Sequence, residues 1–202
     1  AIVAEFSPRE FWSGPSKGQA ARFEDLHDAL AKAEIARAIL HDRAPCRLID
    51  RVKFCALSPP RDKTDDASVA LRLEYGALKY LFSGDIDKRE EKSLAQKADD
   101  LRAAVIKVPR HGAATASTPE FIAAVAPKLA VISAGARSRT EAQREEVAER
   151  YRAFGAEVLR TYDDGAITVA SDGKSLRYAT HRSGKKGVIH LTPENTKAAE
   201  NR

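Results

Sequence analysis

Val69-Ala70-Leu71-Arg72-Leu73-Glu74-Tyr75-Gly76-Ala77-Leu78-Lys79-Tyr80-Leu81-Phe82-Ser83-Gly84-Asp85 is the stretch that decides the fold. Val69, Leu71, Leu73 and Tyr75 alternate with Ala70, Arg72 and Glu74, the period of two expected of a strand with one polar face. Gly76 opens a turn and Leu78 to Phe82 returns, so the stretch predicts an antiparallel hairpin. Its second arm delivers Asp85 to the strand end just after Gly84, a residue that lets the backbone turn sharply.

Downstream, strands and helices alternate. Lys88 to Leu101 is polar and helix-favouring, and Ala104 to Val108 reads as a short buried strand. Thr118-Pro119-Glu120 is a helix start, with a capping hydroxyl and Pro at the first helical position. Leu129 to Ser133 is a further apolar strand. Thr140 to Phe154 reads as a helix opened by a Thr140/Gln143 capping box, with Val147, Tyr151 and Phe154 facing inward and Gly155 ending it. Val158 to Thr161, Ile167 to Ala170 and Leu176 to Thr180 are strands, the last two joined through Asp172-Gly173. From Arg182 the chain is polar and expected to fray. This divides it into one domain over residues 1–180 and a flexible tail over 181–202.

Upstream, Val52 to Leu57 is a candidate strand ending at Pro59-Pro60. Gln19 to Leu40 reads as helix, with Phe23, Leu26 and Leu30 at helical spacing among alanines. The first dozen residues read as irregular. Strands followed by alternating strands and helices make an α/β or α+β sandwich.

The bulk numbers exclude little. Lys and Arg total 34 against 29 Asp and Glu, a net charge of +5 that permits nucleic-acid contact without demanding it. No apolar run is long enough to cross a bilayer, and Ala1 to Phe6 lacks the pattern of a signal peptide. The two cysteines, Cys46 and Cys55, fit no zinc spacing and read as buried free thiols that leave the compartment open. The chain has no Met and opens on Ala1, which points to a processed product or an excerpt of a longer chain.

Two places carry chemistry. Phe82-Ser83-Gly84-Asp85 sets a carboxylate at a strand end, where it ligates a metal or merely caps the next helix. Val108-Pro109-Arg110-His111-Gly112 sets His111, alone among the five histidines, just after an apolar strand, where it is a ligand or a structural imidazole.

Together with their neighbours these segments resemble the metallo-β-lactamase-fold domain of ComEC-type DNA-uptake proteins. That family reads roughly Asn-x-x-Ser, a hairpin ending Thr-Gly-Asp, then Lys-Val-Pro-His-His-Gly-Ser. Here stand Asp65-Asp66-Ala67-Ser68, Ser83-Gly84-Asp85 and Lys107-Val108-Pro109-Arg110-His111-Gly112-Ala113. The similarity continues through Phe121, Pro127 to Ser133, Arg160-Thr161 and Gly165 to Gly173, and covers most of residues 50–180. It implies the C-terminal half of a four-layered αββα sandwich holding one or two metal ions, zinc or manganese. By the same resemblance Asp85 and His111 are metal ligands, the activity is metal-assisted phosphodiester hydrolysis, and the domain is a soluble part of a bacterial inner-membrane protein. Its partners would be DNA and the membrane-channel part of the same longer protein.

The sequence departs from that pattern. The fold's first motif, His-x-His-x-Asp-His, is absent, since no two of His27, His41, His111, His181 and His190 are one residue apart. Arg110 replaces the first histidine of the late motif, and no Gly-His-Pro occurs around Arg137 to Thr140. The full dimetal site therefore needs ligands from elsewhere, and either the chain is an excerpt or its catalysis is lost. The missing Met favours the excerpt. The alternative is an inactive module on the same fold that holds DNA phosphates through Lys107 and Arg110.

Overall fold

A computed structural model describes residues 2–15, 21–58, 68–97, 101–135 and 141–191. In chain order the elements are α1 (Ile2–Phe6), β1 (Glu10–Ser13), α2 (Ala21–Lys32), β2 (Ala36–Ile39), β3 (Arg47–Ile49), β4 (Val52–Ser58), β5 (Ala70–Tyr75), β6 (Leu78–Phe82), α3 (Lys88–Lys97), β7 (Val105–Lys107), α4 (Pro119–Val125), β8 (Leu129–Ile132), α5 (Glu141–Ala153), β9 (Glu157–Arg160), α6 (Thr161–Asp164), β10 (Ile167–Ser171), β11 (Ser175–Thr180) and β12 (Lys186–His190). A tight turn over Pro109–Gly112 follows β7.

The hairpin forms as the alternation requires, with Leu73 opposite Tyr80 and Leu71 opposite Phe82. It sits inside a seven-stranded sheet of order β3-β4-β5-β6-β7-β8-β9. β3 to β6 run antiparallel, whereas β6, β7, β8 and β9 are parallel neighbours. The parallel half carries the uninterrupted apolar runs because both of its faces are covered.

Alternate residues of those runs supply two separate cores. Leu81, Ile106, Ala130, Ile132 and Val158 pack with Leu94, Phe121, Val125, Val147 and Tyr151 from α3, α4 and α5. Leu78, Val105, Leu129, Val131 and Leu159 pack on the opposite face with Leu176 and Tyr178 of β11. There β10, β11 and β12 form a second, antiparallel sheet. The result is an α+β sandwich of helices, large sheet and small sheet. Among the described residues the outer face of the small sheet bears exposed Arg177, Lys186 and Val188 instead of a second helical layer.

Buried polar groups hold the helical layer in place. Thr118 caps α4 by accepting the Phe121 N–H at 3.4 Å. Glu91 of α3, fully buried, accepts the N–H groups of Ser117 and Thr118 at 2.5 and 2.9 Å. Arg150 of α5 donates to the carbonyls of Ala116 and Ser117. The turn before α4 is thus tied to both flanking helices.

Several expectations are corrected. Gln19–Leu40 is not one helix: α2 ends at Lys32, and Ala36–Ile39 pairs in parallel with β1, within the dozen residues expected to be irregular. A strand partner overrides the helix propensity of the alanines there. Phe154 is 45 % exposed, because α5 is already ending and its inward face stops at Tyr151. The tail expected over 181–202 is structured in its first part, since β12 pairs with β11 from Lys186 to His190. The cysteines are not free thiols. Cys46 and Cys55 form a disulfide with Cα atoms 4.4 Å apart, next to the Arg47–Phe54 pair of the β3–β4 hairpin. Gln19, Pro59-Pro60, Asp65 to Ala67, Thr140 and the rest of 136–140 lie outside the described residues, as does the tail from 192.

Candidate functional site

The parallel strands β6 to β9 all end on one edge of the large sheet, where an open α/β sheet places ligands. β6 delivers Ser83, Gly84 and Asp85; β7 delivers Lys107 and the Pro109–Gly112 turn; β8 delivers Ser133.

Gly84 has φ +59°, and a β-carbon on it would lie 2.8 Å from the Val69 carbonyl oxygen, so only glycine fits. The turn it makes is pinned from three sides. The Asp85 N–H donates to the Ser68 hydroxyl at 3.2 Å, the Arg110 N–H donates to the Gly84 carbonyl at 3.2 Å, and the Ser83 hydroxyl donates to the Lys107 carbonyl at 2.5 Å.

After β7 the backbone enters the left-handed region at three successive residues, Arg110 (φ 48°), His111 (φ 55°) and Gly112 (φ 82°). Each non-glycine residue there costs about 1–2 kcal/mol. The turn brings the His111 ring to the Asp85 carboxylate, with Nε2 3.6 Å from Oδ1. On its other side Nδ1 lies 2.6 Å from the Ser133 carbonyl oxygen. A carbonyl only accepts, so Nδ1 carries the proton. In the neutral ring Nε2 then presents a lone pair to a carboxylate. Two acceptors then face each other, both side chains more than half exposed to solvent.

Lys107 reaches the same carboxylate less closely, at 4.0 Å, and donates to the Gly84 carbonyl at 3.3 Å. Burial holds its ammonium below the usual lysine range, against the opposing attraction of Asp85. Asp85, His111 and Lys107 are therefore gathered, while the Arg110 side chain is exposed on the turn. Among the described residues no group of three or more His, Cys, Asp or Glu is placed to hold a metal ion.

One residue of the site escaped the sequence reading. Arg144, in the first turns of α5, lines a cavity of about 390 Å³ with His111, Ser133, Ala134 and Gly135. Its sequence setting, one more charge on a charge-rich helix, gave no signal.

Three relatives resemble the chain over 58 to 62 % of its length. Over 123 residues, 59 % of the chain, it is 32 % identical to the ComE operon protein 3 of Bacillus subtilis (strain 168). Over 122 residues, 58 % of the chain, it is 36 % identical to the competence protein ComA of Neisseria gonorrhoeae. The chain is a relative of the ComEC-type competence proteins. It is also 28 % identical over 127 residues to the uncharacterized protein YcaI of Escherichia coli (strain K12). The matches span only 16 to 18 % of these relatives' own length. No protein-family model matches the chain. Among the described residues no helix is long and apolar enough to cross a membrane.

Proposed function

We propose that this chain is the phosphodiester-handling part of a DNA-uptake protein, and that Asp85 and His111 are two ligands of a divalent metal site. The remaining ligands would come from a His-x-His-x-Asp-His segment that the chain does not contain. Competence proteins among the relatives support the DNA-uptake role. The observation that carries the metal reading is the Asp85–His111 separation of 3.6 Å. Two ligands bonded at about 2.1 Å to a tetrahedral ion lie roughly 3.4 Å apart. The Ser133 carbonyl fixes the ring as a metal-ligating histidine is usually fixed, through its other nitrogen.

A divalent ion there would activate water and offset charge developing on a phosphodiester. Asp85 and His111 hold their positions for it through Ser68, Gly84 and Ser133. Lys107 supplies a half-buried positive charge beside them, suited to a phosphate oxygen. The Cys46–Cys55 bridge supports an oxidising, extracytoplasmic setting.

The test is divalent-ion binding by the 202-residue chain, titrated with Mn²⁺ and read by calorimetry. Weak binding is expected, weakened at least about tenfold further by D85N or H111A. Equal Mn²⁺ affinity in wild type and both variants removes the metal role of this pair.

A further inference from the structure

We infer that the cavity between Arg144 and His111 is a binding site for a phosphate-type oxyanion, with the Arg144 guanidinium as its principal anchor. The inference rests on the site's location as proposed above but not on any metal.

The Arg144 side chain passes beside Gly112 in ordinary van der Waals range. A β-carbon on Gly112 would lie 3.5 Å from Arg144 Cγ and 3.0 Å from Ile132 Cγ2. The guanidinium carbon then stands 5.7 Å from the centre of the Tyr162 ring. Its Nη1 is enclosed and makes no hydrogen bond. A guanidinium has five N–H donors and never loses its charge, so an enclosed nitrogen without an acceptor is out of balance.

Two nearby acids are engaged elsewhere. Glu145 pairs with Arg152 and Arg160, and Asp163 pairs with Arg160. Nη1 itself is shut off from solvent, so it is the rest of the Arg144 side chain that lines the open groove beside it. Its volume of about 390 Å³ exceeds that of about ten waters, ample for a phosphate group. Ser133 lies on its wall beside the His111 ring, with a hydroxyl able to donate to a second oxygen. A guanidinium fork is the side chain best matched to two oxygens of one phosphate.

Free phosphate and the phosphodiester of a nucleic-acid backbone share this chemistry. The test is inorganic phosphate binding by the full chain with chelator present, read by calorimetry. Wild type is expected to bind, and R144Q, which keeps the stem over Gly112, to bind at least about tenfold more weakly. D85N, which removes the carboxylate facing His111, is expected to bind as well or better, whereas the same variant loses Mn²⁺ under the metal reading. The two readings thus fail separately.

If R144Q unfolds, R144K decides. It keeps the charge without the fork, and its phosphate binding should fall at least about threefold. A short single-stranded oligonucleotide without terminal phosphates identifies the source. Its loss in the Arg144 variant means a backbone diester, and a response to inorganic phosphate alone means a free phosphate. No phosphate binding by wild type, equal binding in the Arg144 variants, or loss of binding in D85N overturns the inference.

Discussion

The Val69 carbonyl oxygen occupies the space that a β-carbon on Gly84 would need, 2.8 Å away. The start of β5 and the turn bearing Asp85 are thereby locked together, and the Asp85 N–H to Ser68 bond runs alongside. G84A meets both a positive φ and a backbone atom that cannot yield cheaply. It should destabilise the chain by about 2–3 kcal/mol and move Asp85 away from His111. Thermal unfolding and the His111 NMR shifts check this. A variant with unchanged stability and unchanged shifts would show the turn to be slack.

Glu91 is a second lock. Its carboxylate accepts two N–H groups at the start of α4, and burial raises its pKa above the ordinary 4.5. E91A leaves both donors unpaired in the core, a loss of about 2–4 kcal/mol. A raised folded pKa contributes stability that is complete below the unfolded value and fades as pH rises through the folded one. The margin of wild type over E91Q should therefore be widest below pH 4.5 and shrink above it. Urea unfolding of both proteins across that range measures the margin; a constant or widening gap refutes the assignment.

Asp164 has the opposite sign. Burial opposes its ionisation, but the Arg160 N–H, the Ser183 hydroxyl and the Lys185 ammonium outweigh burial and hold its carboxyl below the ordinary 3.8. They lie 2.7, 2.7 and 3.0 Å from it and join α6 to the β11–β12 loop. A lowered folded pKa contributes stability present above the unfolded value and lost as pH falls through the folded one. D164N should cost about 2 kcal/mol at neutral pH, and the wild-type advantage should decline below pH 3.8. Denaturation curves that stay equally separated down to pH 2 would sink this.

How legible these features were depended on whether the signal was local. The β5–β6 hairpin follows from strict alternation, and the parallel strands from short apolar runs. Asp85 and His111 follow from polar residues placed where such runs stop. Ala36–Ile39 is different: its alanines read as helix, and only pairing with Glu10–Ser13, distant in sequence, makes it a strand. Lys186–His190 contributes only Val188 and Ile189 as apolar residues, too few to show a period, and depends on β11 for its register. Arg144 was hidden for the same reason. Its place beside His111 is created by the packing of α5 over Gly112, a tertiary fact with no sequence period.

The Cys46–Cys55 bond spans nine residues of separation and staples the β3–β4 hairpin at the edge of the large sheet. Closing so short a loop removes modest unfolded-chain entropy, worth about 2.5 kcal/mol. For a domain of this size that corresponds to a melting temperature roughly 5–10 °C lower once the bond is reduced. The reductant is a cleaner probe than substitution, because Cys55 is buried and its replacement would disturb packing as well. Melting with and without dithiothreitol, checked by thiol titration, should show two reactive thiols appearing together with that shift. Two titratable thiols in the untreated protein would mean that the cysteines are not joined. The loss should be confined to the β3 edge, since Asp85 and His111 are anchored by Ser68, Gly84 and Ser133. Mn²⁺ and phosphate binding measured below the melting range should accordingly be the same before and after reduction.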